Sequence, residues 1–193
     1  AEREAEAIAA LFDGQAFTGA DATETLLWEQ TAQASYVHMA AHGQFNPIAP
    51  QFSRIYLAPD DANDGLLEVR EVWNLPLENA DLVTLSACET QLGEQSAGDE
   101  MVGLSRAFIY AGTPSLVATL WSVDDVSTQF LMERFYGYLQ DGQSKASALR
   151  QAQLDTLEQY PSPYYWAAFT LIGDTGELDT DRTVPSNSAA LMA

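Results

Sequence analysis

Three segments, residues 36–41 (YVHMAA), 81–88 (DLVTLSAC) and 114–121 (PSLVATLW), place apolar side chains at successive positions, so an extended chain is apolar on both faces. A strand of that kind needs cover on both sides, which a parallel sheet between two layers of helices provides. Helical periodicity fills the intervals. Residues 2–12, 24–33, 100–110, 126–139 and 144–157 read as helices, the third with Met101, Leu104 and Phe108 on one face. Strands alternating with helices predict an α/β fold, a three-layer sandwich with a mostly parallel central sheet.

Smaller elements fill in the outline. Residues 15–19 read as a short strand, and 21–23 offer an N-cap for the next helix. Residues 54–58 alternate as a strand, and 59–65 (PDDANDG) are dense in turn formers. Leu66 and Leu67 return as a strand, followed by a short helix over 68–73. Residues 93–99 read as a polar loop, and 164–172 (YYWAAFTLI) as a final strand. One unit over 1–176 and a loose tail over 177–193 are expected. Residues 1–6 read as mid-helix, so the expectation is the C-terminal portion of a larger domain.

The charge balance narrows the function classes. With 28 acidic and 8 basic residues, the formal net charge is −20. Binding to a nucleic-acid backbone needs clustered Lys and Arg, and an anionic membrane repels such a surface, so neither partner is expected. An acidic surface suits a basic peptide, or serves solubility alone. The single cysteine rules out a disulfide within the chain and a multi-cysteine zinc site. No metal and no cofactor are expected. A free thiol without a signal sequence points to a cytoplasmic location.

Reactive or charged residues stand just after each buried strand. His42 comes after the first, Cys88 after the second, and Asp124 with Asp125 after the third. In open α/β sheets, sites form at the carboxyl ends of the strands. A thiolate is the nucleophilic form of cysteine, and an imidazole beside it can take its proton and return it to a leaving amine. His42 lies 46 positions before Cys88, near the separation of about 50 in caspases. Gly43 presents no side chain to block a substrate, and its N–H with that of Cys88 suits an oxyanion. A histidine closing a strand and a small core cysteine are the plain alternatives. His38, on the same strand face as His42, reads as a core histidine or as a group that tunes the site.

The chain resembles the CHAT domain. The likeness rests on residues 36–43 (YVHMAAHG), 82–90 (LVTLSACET), 103–112 (GLSRAFIYAG), 116–125 (LVATLWSVDD), 135–139 (FYGYL), 145–153 (KASALRQAQ) and 165–173 (YWAAFTLIG), in that order. CHAT domains are caspase-like, related to separase and gingipain, and are often fused to tetratricopeptide repeats. The resemblance implies a caspase-like fold and makes His42 and Cys88 the catalytic dyad of a cysteine endopeptidase. It also implies that Asp125 receives a basic side chain before the scissile bond. Asp124, with the same reading, and Glu89, beside the nucleophile, are further substrate-binding candidates. For Asp125 the alternative is capping of the helix that begins there. Protein or peptide substrates, and tetratricopeptide or other regulatory modules in the full-length protein, are the implied partners. A catalytically silent CHAT scaffold, or an acyltransferase using the same dyad, stays open beside the peptidase. The CHAT pattern also includes a segment ahead of residue 1, so the sheet is expected to lack one or two strands.

Overall fold

A computed structural model of the chain describes residues 1–12, 14–46, 48–86, 99–178 and 189–192, the last four and 99–102 by their backbone. The elements in chain order are α1 (Glu2–Leu11), β1 (Gln15–Phe17), α2 (Glu24–Thr31), β2 (Tyr36–Met39), β3 (Gly43–Gln44), β4 (Arg54–Tyr56) and β5 (Leu66–Glu68). Next come α3 (Val69–Val72), β6 (Leu82–Leu85), α4 (Asp99–Tyr110), β7 (Ser115–Thr119), α5 (Asp125–Gln140), α6 (Lys145–Gln159), α7 (Pro163–Trp166), β8 (Phe169–Gly173) and β9 (Ala189–Met192).

Six strands form the central sheet in the order β1-β9-β2-β6-β7-β8. All neighbours are parallel except β7 and β8. Because side chains alternate along a strand, each central strand feeds two cores. Val37, Met39, Val83, Leu85, Leu116 and Ala118 pack with residues of α2, α3 and α4 on one face. Leu82 and Val117 pack with Ala5 and Ile8 of α1 and with residues of α5 and α6 on the other. The result is the expected α/β sandwich of three layers. A second, antiparallel sheet, β3-β4-β5, stands beside the first, directly after β2.

Local chemistry fixes the helix starts. Thr23 caps α2 by accepting from the Leu26 N–H at 3.2 Å, and Ser144 caps α6 through the Ser147 N–H at 3.3 Å. At the start of α6 the buried Lys145 Nζ donates to Asp81 Oδ1 (3.2 Å), Ser115 Oγ (2.9 Å) and Asp174 Oδ2 (2.9 Å). These partners precede β6, open β7 and come after β8, so the ammonium pins α6 to the amino-terminal end of the parallel strands.

Two expectations are corrected. Residues 164–172 were expected to be one strand, but the first part is helix α7, and β8 begins only at Phe169. Pro163 at the first helical position favours that turn, and an unbroken apolar run does not distinguish strand from helix by period. The loose tail expected over 177–193 contains a strand: β9 at Ala189–Met192 lies between β1 and β2, parallel to both. Residues 189–192 (AALM) are too few to show a period. The loop expected over 93–99 lies outside the described residues except for Asp99, which begins α4.

Candidate active site

Parallel strands deliver the residues after them to one edge of the sheet, and the chain uses that edge. A cavity of about 390 Å³ opens there, lined by Ala40, Ala41 and His42 after β2, Ser86 after β6, and Ser122, Val123, Asp125 and Thr128 after β7. Ala1, Glu4 of α1 and Tyr56 of β4 complete the wall.

His42 is exposed. Its carbonyl accepts the Tyr56 N–H at 2.8 Å, which ties the histidine backbone to the second sheet. That bond also sets the ladder phase. Gly43 pairs with Ile55, and a bond from residue 56 to residue 42 makes 43–55 a non-hydrogen-bonded pair. The Gly43 N–H therefore points away from β4. A Cβ added to Gly43 would meet only the Arg54 carbonyl, at 3.5 Å, so close packing does not demand glycine there. The Tyr56 hydroxyl donates to Gln44 Oε1 at 2.7 Å, bracing the wall next to His42.

The paired acids separate by role. Asp124 is the N-cap of α5: its Oδ2 accepts the Ser127 N–H at 3.0 Å and lies 3.2 Å from Ser127 Oγ. It is not among the cavity-lining residues. Asp125 is open to solvent on the cavity wall. The capping role weighed for Asp125 thus belongs to its neighbour. Cys88 and Glu89 fall within 87–98, outside the described residues, and the strand that leads to them is described as far as Ser86.

Glu4 of the cavity wall belongs to a buried polar group of four residues. His38 Nε2 is 3.0 Å from Glu4 Oε1, and His38 Nδ1 is 3.2 Å from the Tyr136 hydroxyl, which donates to Thr84 Oγ1 at 2.8 Å. All four side chains are buried. Burial raises the Tyr136 pKa far above the ordinary phenol value, against the pull of the Thr84 hydrogen bond, so the hydroxyl stays neutral. His38 is therefore a hydrogen-bonded core histidine. Sequence reasoning missed Glu4, although an acid one position before Ala5 on the apolar stripe with Ile8 was a visible anomaly. Tyr136 was quoted only as part of FYGYL.

A larger, open depression of about 640 Å³ lies between α2 and the β4–β5 turn, lined in part by Asp21, Glu29, Asp60 and Asp61. Asp60 among them serves the turn: its Oδ1 accepts the Ala62 and Asn63 N–H groups, and its Oδ2 accepts the Thr25 N–H of α2. The Thr25 hydroxyl first, and then those backbone bonds, hold the Asp60 pKa down at about 2. Among the described residues no set of three or more His, Cys, Asp or Glu is arranged to hold a metal. Nor is any helix among them long and apolar enough to cross a membrane.

The CHAT domain family model matches residues 1–174. Two curated relatives are similar over 95% of this chain: mouse tetratricopeptide repeat protein 28, at 28% identity over 219 aligned residues, and its human counterpart, at 27%. The chain spans about 9% of the length of each.

Proposed function

The chain belongs to the CHAT domain family, and from that premise we propose that it is a cysteine endopeptidase with His42 as base and Cys88 as nucleophile. The observation that carries this reading is a register. Each residue of β6 pairs with the β2 residue 46 positions earlier, from Tyr36↔Leu82 to Met39↔Leu85. Ser86 continues the pairing through its N–H bond to the Met39 carbonyl at 2.9 Å. Cys88 is 46 positions after His42. The sequence separation of the two reactive groups equals the offset of the neighbouring strands that lead to them.

In the proposed reaction the Cys88 proton passes to His42 and the thiolate attacks the scissile carbonyl carbon. The Gly43 and Cys88 N–H groups hold the oxyanion. The C–N bond breaks as His42 protonates the leaving amine, and water, deprotonated by His42, hydrolyses the thioester. Asp125 on the open cavity wall receives a basic side chain of the substrate, while Glu89 borders the nucleophile. The capping geometry of Asp124 supports a structural part for that residue. The names of the relatives support tetratricopeptide modules as partners in a full-length protein, and the free thiol suits a reducing, cytoplasmic setting.

The test is a biotinylated peptidyl acyloxymethyl ketone with Arg at its reactive end, applied to the parent, Cys88→Ala and His42→Ala proteins. Labelling of the parent that is lost in both variants is the expected result. Folded parent protein left unlabelled by probes of basic, acidic and neutral end residues alike would overturn the peptidase reading in favour of a silent scaffold.

A further inference from the structure

The buried set Glu4–His38–Tyr136–Thr84 is expensive where it stands. Burying four polar side chains gains less than filling the same volume with Phe, Leu and Val, even when their hydrogen bonds are made. Its position suggests what it does instead. His38 and Thr84 are register partners on β2 and β6. Their rung lies one pair before the last of the ladder, Met39↔Leu85, and His42 follows Met39 by three residues. The Tyr136 hydroxyl bonds both, so one oxygen bridges the two strands from the α5 side. Glu4 extends the bridge to α1.

The four elements joined here also contribute to the cavity, beside Tyr56 of β4 and the residues that follow β7. Glu4 comes from α1, Asp125 and Thr128 from α5, His42 comes after β2, and Ser86 after β6. The Tyr136 ring is held on its other sides by aromatic contacts. Phe12 meets it edge-on at 5.5 Å between centroids, and Phe135 lies 5.2 Å away. The hydroxyl therefore has little freedom to follow a strand that shifts.

We propose that Tyr136 is a positioning residue, whose hydroxyl fixes the spacing and register of β2 and β6 so that His42 and Cys88 meet. This role rests on the His42–Cys88 dyad reading. A Phe side chain at 136 keeps the ring packing but removes the bridge, and a sub-ångström drift between the strands then reaches the reactive pair. Misplacement of that size weakens proton exchange between imidazole and thiol more than it weakens the fold.

The 193-residue chain has one cysteine, so alkylation by iodoacetamide reports Cys88 alone. The second-order rate is measured across about pH 5 to 9 for the parent, Tyr136→Phe, Thr84→Val, Thr84→Ser, His42→Ala and the two His42→Ala double variants with Tyr136→Phe and Thr84→Val. The expected result is an alkylation rate near neutrality about tenfold lower in Tyr136→Phe and Thr84→Val. Thr84→Ser, which keeps the hydroxyl, retains the parent rate, and neither Tyr136→Phe nor Thr84→Val has any effect in the His42→Ala background. A parent-like pH profile in Tyr136→Phe, or in Thr84→Val if the former does not fold, overturns the positioning role. So does an equal loss with and without His42. If His42→Ala itself matches the parent, the dyad reading fails, and the positioning role fails with it.

Discussion

Lys145 Nζ lies 2.9 Å from Asp174 Oδ2, at the end of the sheet opposite His42. The ammonium is fully buried, whereas the Asp174 side chain is half exposed. Lys145→Met is expected to cost about 3 kcal/mol, because the buried Asp81 carboxylate loses its cation. Urea denaturation measures the loss. A cost under about 0.5 kcal/mol would mean that the ammonium contributes no more than a surface charge.

The same contact sets an acid limit. The hydrogen bond from Lys145 holds the Asp174 carboxyl below its ordinary value of 3.8, helped by the Gly176 N–H. A depressed folded pKa stabilises the fold above the unfolded value, and that contribution is lost as pH falls through the folded one. In the Lys145→Met protein, the acid side of the stability curve is expected to flatten below about pH 4, as read from urea midpoints at stepped pH.

Glu24 has the opposite sign. Burial, followed by the charges of Glu71, Asp64 and Asp60, raises its pKa from 4.5 to about 7 against the pull of the Gly65 N–H. Protonation therefore favours the folded chain, and stability falls as pH rises from 4.5 to about 7. Glu24→Gln keeps an acceptor for Gly65 and removes the charge. It is expected to gain about 2 kcal/mol above neutrality and little below pH 4. A parallel stability curve for variant and parent would contradict the assignment.

Gly173 turns the chain from β8 toward Asp174 with φ of +93°, and a Cβ there would lie 2.2 Å from the Pro114 carbonyl oxygen. The atom it would strike is backbone, which cannot swing aside as a side chain could. Gly173→Ala is expected to cost about 3 kcal/mol. Gly142, with φ of +79° and nothing within 4 Å of an added Cβ, is the control. Gly142→Ala carries the left-handed strain alone, about 1 kcal/mol. Melting temperatures of the pair separate clash from strain.

Adjacent acids at the start of α5 are expected to fail differently. Asp124→Ala removes a cap and costs about 1 kcal/mol of stability. Asp125→Ala changes stability by less than about 0.5 kcal/mol and, on the proposed reading, lowers labelling by an Arg-ended probe relative to a neutral one. Thermal melts with paired probes distinguish the two. Equal effects of both variants on probe preference would remove Asp125 from its assigned place.

How much of the molecule is legible in the sequence depends on which forces act locally. The three doubly apolar runs announced β2, β6 and β7, because burial on both faces leaves no polar positions. The cap at Thr23 was readable for the same local reason, whereas Ser144, read as the first residue of its helix, is its cap. The Asp124–Asp125 split was not, since either residue satisfies a capping pattern and only the backbone settles which one turns inward. The Glu4–His38–Tyr136–Thr84 group joins positions up to 132 residues apart (Glu4 to Tyr136), and no window on the chain contains it. Lys145 was equally hidden: as the first residue of α6 it looks like a surface cation until Asp81, Ser115 and Asp174 converge on it.

The placement of β9 bears on how the chain reaches its fold. Residues 189–192 sit between β1 at 15–17 and β2 at 36–39, so the pairings there span most of the chain. Contacts that close such long loops form late and slowly. Until they do, β1 has no neighbour in the final sheet and β2 presents an open flank of N–H and C=O groups, a template for pairing with other chains. The refolding yield of this protein is therefore expected to depend on concentration, with the hazard at the β1–β2 gap rather than at the cavity.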